Sequence, residues 1–297
     1  MSKIQEALRR LHSQQANDRA SSDGSRRSKR LPDSVIPIAQ MKKVEIEGEK
    51  HHLDEADLIK GGVLAPLDQA IPIAGEFRRI KRPIIDNAFK RSVEGDGYMN
   101  LIMVTSPMPG AGKTFCSVNL SASLSLEREL NVLLVDADVA KPHISTAFGL
   151  ADRPGLIDIL EDDDAQVDDV LIRTDLNDIQ VLPAGRKHSQ STELLASERM
   201  ESVMLELATR YPDRLIILDS PPLLLTSESP ALAQQVGQIV MVVESGKTTN
   251  REFDDAVEML DTNKAINLIL NKSLFGQAGG YYGGGYGYGS YGFNDGD

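Results

Sequence analysis

The sequence predicts an α/β fold, a doubly wound and mostly parallel sheet with helices on both faces. Six short runs rich in Val, Ile and Leu, at 101–104, 132–135, 179–182, 215–218, 239–243 and 266–270, suit strands buried on both faces. Helix-compatible stretches at 114–128, 192–210, 228–236 and 249–262 alternate with those runs, which gives the strand–helix rhythm of a parallel sheet. Chemistry-bearing residues directly follow several of the runs, at the carboxyl ends of strands where such sheets bind ligands.

Residues 1–15 place Ile4, Leu8 and Leu11 at i, i+4 and i+7, with Lys3, Arg9 and Arg10 elsewhere around the turn. This spacing predicts a short amphipathic helix, which either docks on a partner or packs on its own domain. Residues 16–70 are expected to be a flexible linker. The stretch 18–30 is too polar to bury itself, and Arg26, Arg27, Lys29 and Arg30 in it either meet an acidic partner or form a solvated charge run. The domain proper is expected over 71–273. Near its start Glu76, Arg79 and Arg82 stand at i, i+3 and i+6, a spacing that keeps them near one helix face. A plain surface helix with charge pairs is the alternative.

Between the first strand and its helix lies Ser106-Pro-Met-Pro-Gly-Ala-Gly-Lys-Thr114. Strand, glycine-containing loop and helix in that order make a phosphate-binding loop. Backbone N–H groups of Gly110, Ala111 and Gly112 and onward to Phe115 line it, and Pro109 contributes main chain without an N–H. Lys113 reaches β/γ oxygens and the Thr114 hydroxyl ligates Mg²⁺. Pro107 replaces the first glycine of the usual G-x-x-x-x-G-K-[ST] pattern, while the Gly-Lys-Thr end is intact. A nucleoside triphosphate with Mg²⁺ is the expected ligand.

Two further strands end in carboxylates: Val132-Leu-Leu-Val-Asp136-Ala-Asp138 and Leu215-Ile-Ile-Leu-Asp219. An aspartate after an apolar strand, facing a phosphate loop, is the arrangement that holds Mg²⁺, usually through water. Two such strands mark the deviant Walker type of P-loop NTPase. Turn aspartates capping the next helix would explain either strand alone. The acidic run 161–164 has no strand before it and reads as a solvated loop.

Composition bounds the function. The chain has 297 residues, 41% of them hydrophobic, and a net charge of −12, enough for a sizeable core and against a general affinity for nucleic acid. One cysteine, Cys116, permits no internal disulfide and suits a reducing compartment. The five histidines show no metal-ligand spacing with cysteine or with each other. No run approaches the ~20 apolar residues that span a bilayer, and the first residues lack a signal-peptide core. A soluble or peripheral protein is expected.

The phosphate loop, the Val132-Leu-Leu-Val-Asp-Ala-Asp-Val-Ala-Lys-Pro142 segment and Leu215-Ile-Ile-Leu-Asp-Ser-Pro-Pro222 together resemble the bacterial protein-tyrosine kinases. The resemblance covers roughly residues 71–273, and Lys141-Pro142 and Tyr211-Pro-Asp-Arg214 are similar to the exosortase-associated tyrosine autokinases of exopolysaccharide loci. It implies that Lys113 and Thr114 hold phosphate and Mg²⁺, that Asp138 and Asp219 complete the metal shell, and that Asp136 orients or deprotonates the attacking phenol. Which aspartate is the base is not given by spacing. Asn271, after the last strand, resembles a base-contacting asparagine, with a turn or cap role as the alternative. The family commonly has glutamate where Ala111 stands and arginine where Ala140 stands.

After Ser273 the chain becomes a Gly/Tyr-rich tail, 274–297, expected to be disordered, with Tyr281, Tyr282, Tyr286, Tyr288 and Tyr291. Alone it reads as low complexity; beside these motifs it resembles the tyrosine cluster that the family phosphorylates. The resemblance further implies an oligomer, in ring form, built through Glu76, Arg79 and Arg82. It also implies a membrane chain-length-determinant protein as activator, a cognate phosphotyrosine phosphatase, and a cytoplasmic, peripheral location at the inner face of the membrane. The function implied is autophosphorylation that regulates exopolysaccharide chain length, assembly or export. The rival is a partition or septum-positioning ATPase, but those carry a signature lysine early in the loop where this chain has Met108.

Overall fold

The computed structural model describes residues 49–89, 98–210, 213–261 and 264–273. The expected N-terminal helix, most of the expected linker and the tyrosine tail lie outside them.

Helices α1 (Glu55–Lys60) and α2 (Ala70–Ala88) come first, followed by β1 (Leu101–Thr105), α3 (Lys113–Leu124) and β2 (Asn131–Asp136). Two short helices follow, α4 (His143–Ala147) and α5 (Leu156–Glu161), then strands β3 (Ile172–Arg173) and β4 (Gln180–Leu182). The chain continues with α6 (Ser191–Leu195), α7 (Glu198–Arg210), β5 (Arg214–Asp219), α8 (Glu228–Gln235), β6 (Gln238–Glu244), α9 (Asn250–Glu258) and β7 (Ala265–Asn271). The seven strands stand in the order β3-β4-β2-β5-β1-β6-β7. Every pair is parallel except β3 with β4.

Alternation along the strands divides the core. Leu101, Met103, Leu133, Val135, Ile216, Leu218, Ile239 and Met241 enter one buried cluster with α5 to α9. Ile102, Val104, Val132, Leu134, Leu215, Ile217, Val240 and Val242 enter the other, with α1 to α4. Continuous apolar runs were therefore the right signal for two covered faces.

Each predicted strand and long helix is present, with three differences. The predicted 192–210 helix is broken into α6 and α7. Strand β3 is antiparallel and two residues long, too short for any periodicity. The expected linker does not extend to residue 70: from 49 on, the chain is built into the domain. His51 bridges to Thr174, its N–H donates to Arg173 O at 2.8 Å, and Leu53, Leu58 and Val63 are buried. Three apolar residues spaced five apart in a polar run satisfy neither helix nor strand periodicity, which hid this attachment.

On α2, Phe77, Lys81, Ile84 and Ile85 are buried, while Glu76, Arg79 and Arg82 are exposed. The three thus share the outward side, as their spacing requires. Lys81 instead turns inward, donating to Ser123 O at 2.6 Å and pairing with Glu127 at 2.7 Å, which ties α2 to the end of α3.

Candidate active site

The site forms along the carboxyl edge of the central strands. β1 runs directly into the phosphate loop, and β5 and β6 flank it on either side. The loop is sewn to the neighbouring motif before any ligand is considered. Thr105 donates to Pro221 O and Ser220 to Val104 O, both at 2.9 Å, and Leu223 N–H donates to Ser106 O at 2.9 Å. The Asp219-Ser-Pro-Pro222 segment is thus the structural floor of the loop as well as a source of carboxylate.

Gly110 and Gly112 have φ of +84° and +92°, a region open to glycine and strained for other residues. Gly112 is the N-cap of α3, so the loop ends at the positive end of that helix. A side chain on Gly112 would collide with Asn271, whose Nδ2 would lie 2.3 Å from the added carbon. Asn271 Nδ2 donates to Ala111 O at 2.8 Å, so it braces the loop from β7. Phe115 turns its ring to Phe77, with centroids 6.3 Å apart, leaving its main-chain N–H for the loop. Pro109 is exposed and Ala111 buried.

The carboxylates cluster opposite. Asp136 and Asp219 are register partners on β2 and β5. Asp219 accepts from Thr114 Oγ1 at 2.7 Å and from Ser117 Oγ at 2.9 Å. Asp136 accepts from Ser145 N–H at 2.8 Å and Ser145 Oγ at 2.7 Å, both on Oδ2, while its buried Oδ1 has no partner. Asp138 is also buried, and Lys141 N–H donates to it at 3.3 Å.

Burial, then the neighbouring Asp219, push the Asp136 carboxyl up to about 7. Burial raises Asp219 to about 6 although Thr114, Lys113 and Ser117 oppose it. Asp138 is also raised by burial, with Lys113 acting against that. Three crowded, desolvated carboxylates are a site that a cation relieves. Burial, helped by Asp219, pushes the Cys116 thiol up to about 12, so it is an inert core residue.

The donor set fits Mg²⁺ with a nucleotide. Thr114, Asp138 and Asp219 offer hard oxygens beside a phosphate loop, and Asp136 Oδ1 stands next to them without a partner. Asp219 already has an acceptor bond on each oxygen, a geometry suited to holding ligand hydroxyls or waters. The structure thus gathers Lys113, Thr114, Asp136, Asp138, Asp219 and Asn271 at one edge. Ser117 and Ser145 were missed by sequence reasoning. Ser117 stands one turn beyond Lys113, a helical offset that pointed to the site; Ser145 carried no such signal. Two clefts, of about 380 and 250 Å³, lie beside α1 and α2, and no residue of the phosphate loop lines either.

Residues 99–274 match the family described as an AAA domain. Tyrosine-protein kinase YwqD of Bacillus subtilis is 31% identical over 192 residues, 63% of this chain and 79% of that protein. Tyrosine-protein kinase wzc of Salmonella typhimurium is 30% identical over 61% of this chain but 25% of its own length. The chain spans about a fifth of the curated relatives from Ralstonia that it matches, 21% and 22%. Among solved structures, the VpsO kinase domain aligns with a TM-score of 0.57 and 28% identity, covering 70% of this chain and all (100%) of that one. The BceF tyrosine kinase domain aligns at 0.58 and 25%, covering 72% and 86%. With the phosphate loop, the two aspartate-ended strands and these relatives in agreement, the chain belongs to the bacterial tyrosine-protein kinases.

Proposed function

We propose that this protein is an ATP- and Mg²⁺-dependent autophosphorylating tyrosine kinase that regulates exopolysaccharide chain length, assembly or export. The observation that carries the reading is the closed set of Lys113, Thr114, Asp136, Asp138 and Asp219 around one loop, in a chain whose relatives above 30% identity are named tyrosine-protein kinases. That kinship also favours it over a positioning ATPase.

In this reading the N–H groups of Gly110 to Phe115 hold the phosphates and Lys113 offsets charge on the terminal one. Mg²⁺, when bound, supplies charge neutralisation at the β/γ oxygens. Asp219 fixes the Thr114 hydroxyl that would ligate it, and Asp138 completes the polar shell. Asp136 accepts the phenol proton at Oδ1, the atom without a partner. Its pKa of about 7 matches a base at neutral pH. A tyrosine with a pKa of ~10 needs such an acceptor in order to attack.

The substrates are Tyr281, Tyr282, Tyr286, Tyr288 and Tyr291, reached in trans within a ring assembled through Glu76, Arg79 and Arg82. A membrane chain-length-determinant protein recruits and activates the kinase, and a phosphotyrosine phosphatase resets it. Among the described residues no helix is long and apolar enough to cross a membrane. Mixing full-length Lys113→Met, a tail without activity, with a truncation after Ser273, activity without a tail, is expected to place phosphotyrosine on the Lys113→Met chain. Intact-mass analysis reads it. An unmodified mixture alongside a self-modified wild type would rule out transfer between subunits.

A further inference from the structure

Across the loop from the carboxylates lies a second charged group. Glu244 ends β6 and pairs in register with Asn271 at the end of β7. Its carboxylate is shared by Lys272, at 3.2 Å, and Lys247, at 3.3 Å. Burial lifts the Glu244 carboxyl, and hydrogen bonds from Lys272 and Lys247 more than offset it, leaving its pKa below the ordinary value. Lys272 Nζ also donates to Gly110 O at 2.7 Å. Lys247 Nζ lies 3.8 Å from where a side chain on Gly110 would begin. Two ammonium groups on one carboxylate leave a net positive charge against the exposed tip of the phosphate loop.

Backbone geometry adds an independent observation. Lys272 has φ of +56°, the left-handed region that is unfavourable for a non-glycine residue. A strained lysine held against a ligand loop is where function outweighs local stability. Glycine here would relieve the strain and discard the cation. Both side chains remain largely open to solvent, at 49% for Lys272 and 68% for Lys247, so they are free to re-aim.

We propose that Lys247 and Lys272 are phosphate-contacting residues of the nucleotide site, held ready by Glu244. The inference rests on the nucleotide reading of the loop given above. On arrival of a polyphosphate, the ammonium groups trade the Gly110 carbonyl and part of the Glu244 carboxylate for phosphate oxygens. Lysine suits this task as a mobile point charge. Because the gain grows with phosphate charge, the pair discriminates ATP from AMP. Glu244 is a positioning residue, and its charge opposes the bound phosphates.

The test is titration of full-length protein with fluorescent ATP and AMP analogues, for wild type, Lys247→Ala/Lys272→Gly, Glu244→Gln and Lys113→Met, with thermal unfolding as the folding control. The double lysine variant is expected to weaken ATP binding by roughly tenfold or more and AMP by less than about twofold, with a shallower salt dependence. Glu244→Gln keeps a carbonyl oxygen that can still position a lysine and removes only the charge that opposes the phosphates, so it is expected to hold or strengthen ATP binding. Equal loss for ATP and AMP in the double variant, no loss at all, or weakening by Glu244→Gln to the same degree would overturn the proposal. If wild type binds ATP, Lys113→Met does not, and the lysine variant matches wild type, this inference alone fails. If wild type does not bind ATP, the nucleotide reading fails with it.

Discussion

Gly112→Ala is expected to abolish measurable nucleotide binding and to destabilise the fold, whereas Gly110→Ala two residues earlier is expected to do far less. Both glycines have positive φ, at +92° and +84°, so both substitutions carry the same conformational cost, about 1–2 kcal/mol. Their surroundings separate them. An added carbon at 110 meets nothing nearer than Lys247 Nζ at 3.8 Å, but at 112 it meets Asn271 Nδ2 at 2.3 Å. Asn271 must then move, breaking its bond to Ala111 O, so a lost hydrogen bond of about 1 kcal/mol adds to the strain. The loop is thereby released from β7 at the N-terminus of α3, where the phosphates would sit. Thermal unfolding and nucleotide titration of the two variants check this. Equal behaviour would mean that Asn271 does not brace the loop.

The carboxylate cluster is expected to make the ligand-free protein more stable at pH 5 than at pH 8. Asp136 and Asp219 have folded-state pKa values of about 7 and about 6, above the ordinary 3.8. Between pH 4 and pH 7 the folded state therefore holds more protons than the unfolded chain. The stability they contribute is present at low pH and lost as pH rises through 6 to 7. The total is on the order of a few kcal/mol.

Asp158, Asp175 and Asp178 are shifted the other way, through hydrogen bonds from Arg186, His52, and Lys50 with Arg173. Their stability is lost only as pH falls below the ordinary carboxylate range, outside this window. His52, raised by its hydrogen bond to Asp175, acts in the same sense in the window, but the pair is exposed and screened by solvent. Asp136→Asn isolates the cluster: it is expected to raise the unfolding midpoint at pH 8 and flatten the pH 5–8 profile. Mg²⁺ with ATP is expected to flatten it too. An unchanged profile in Asp136→Asn would show that the carboxylates are not in conflict.

Much of this was legible in the sequence because each signal was continuous and local. Val132 to Val135 and Leu215 to Leu218 are buried on both faces, so an unbroken apolar run announced them, and the aspartate closing each run fell at the ligand edge by topology alone. The Gly-Lys-Thr segment carried its geometry in nine consecutive residues. What could not be read depended on contacts between distant residues. Ser145 holds Asp136 because α4 folds back over β2, and nothing in a nine-residue separation encodes that. Glu244, Lys247 and Lys272 meet only because β6 and β7 are neighbours. The attachment of residues 49–63 joins His51 main-chain bonds to Arg173 and Asp175 with side-chain pairs such as Lys50 with Asp178, contacts between residues more than a hundred positions apart.

In the proposed reaction this site moves the terminal phosphate of ATP to tyrosine. Full-length protein incubated with Mg²⁺ and ATP labelled at the γ-phosphate, beside Lys113→Met, tests it when the products are mapped by mass spectrometry. Label is expected on tyrosines of 281–291 in the wild type and on none in Lys113→Met. Consumption of ATP to inorganic phosphate with no labelled tyrosine would contradict it.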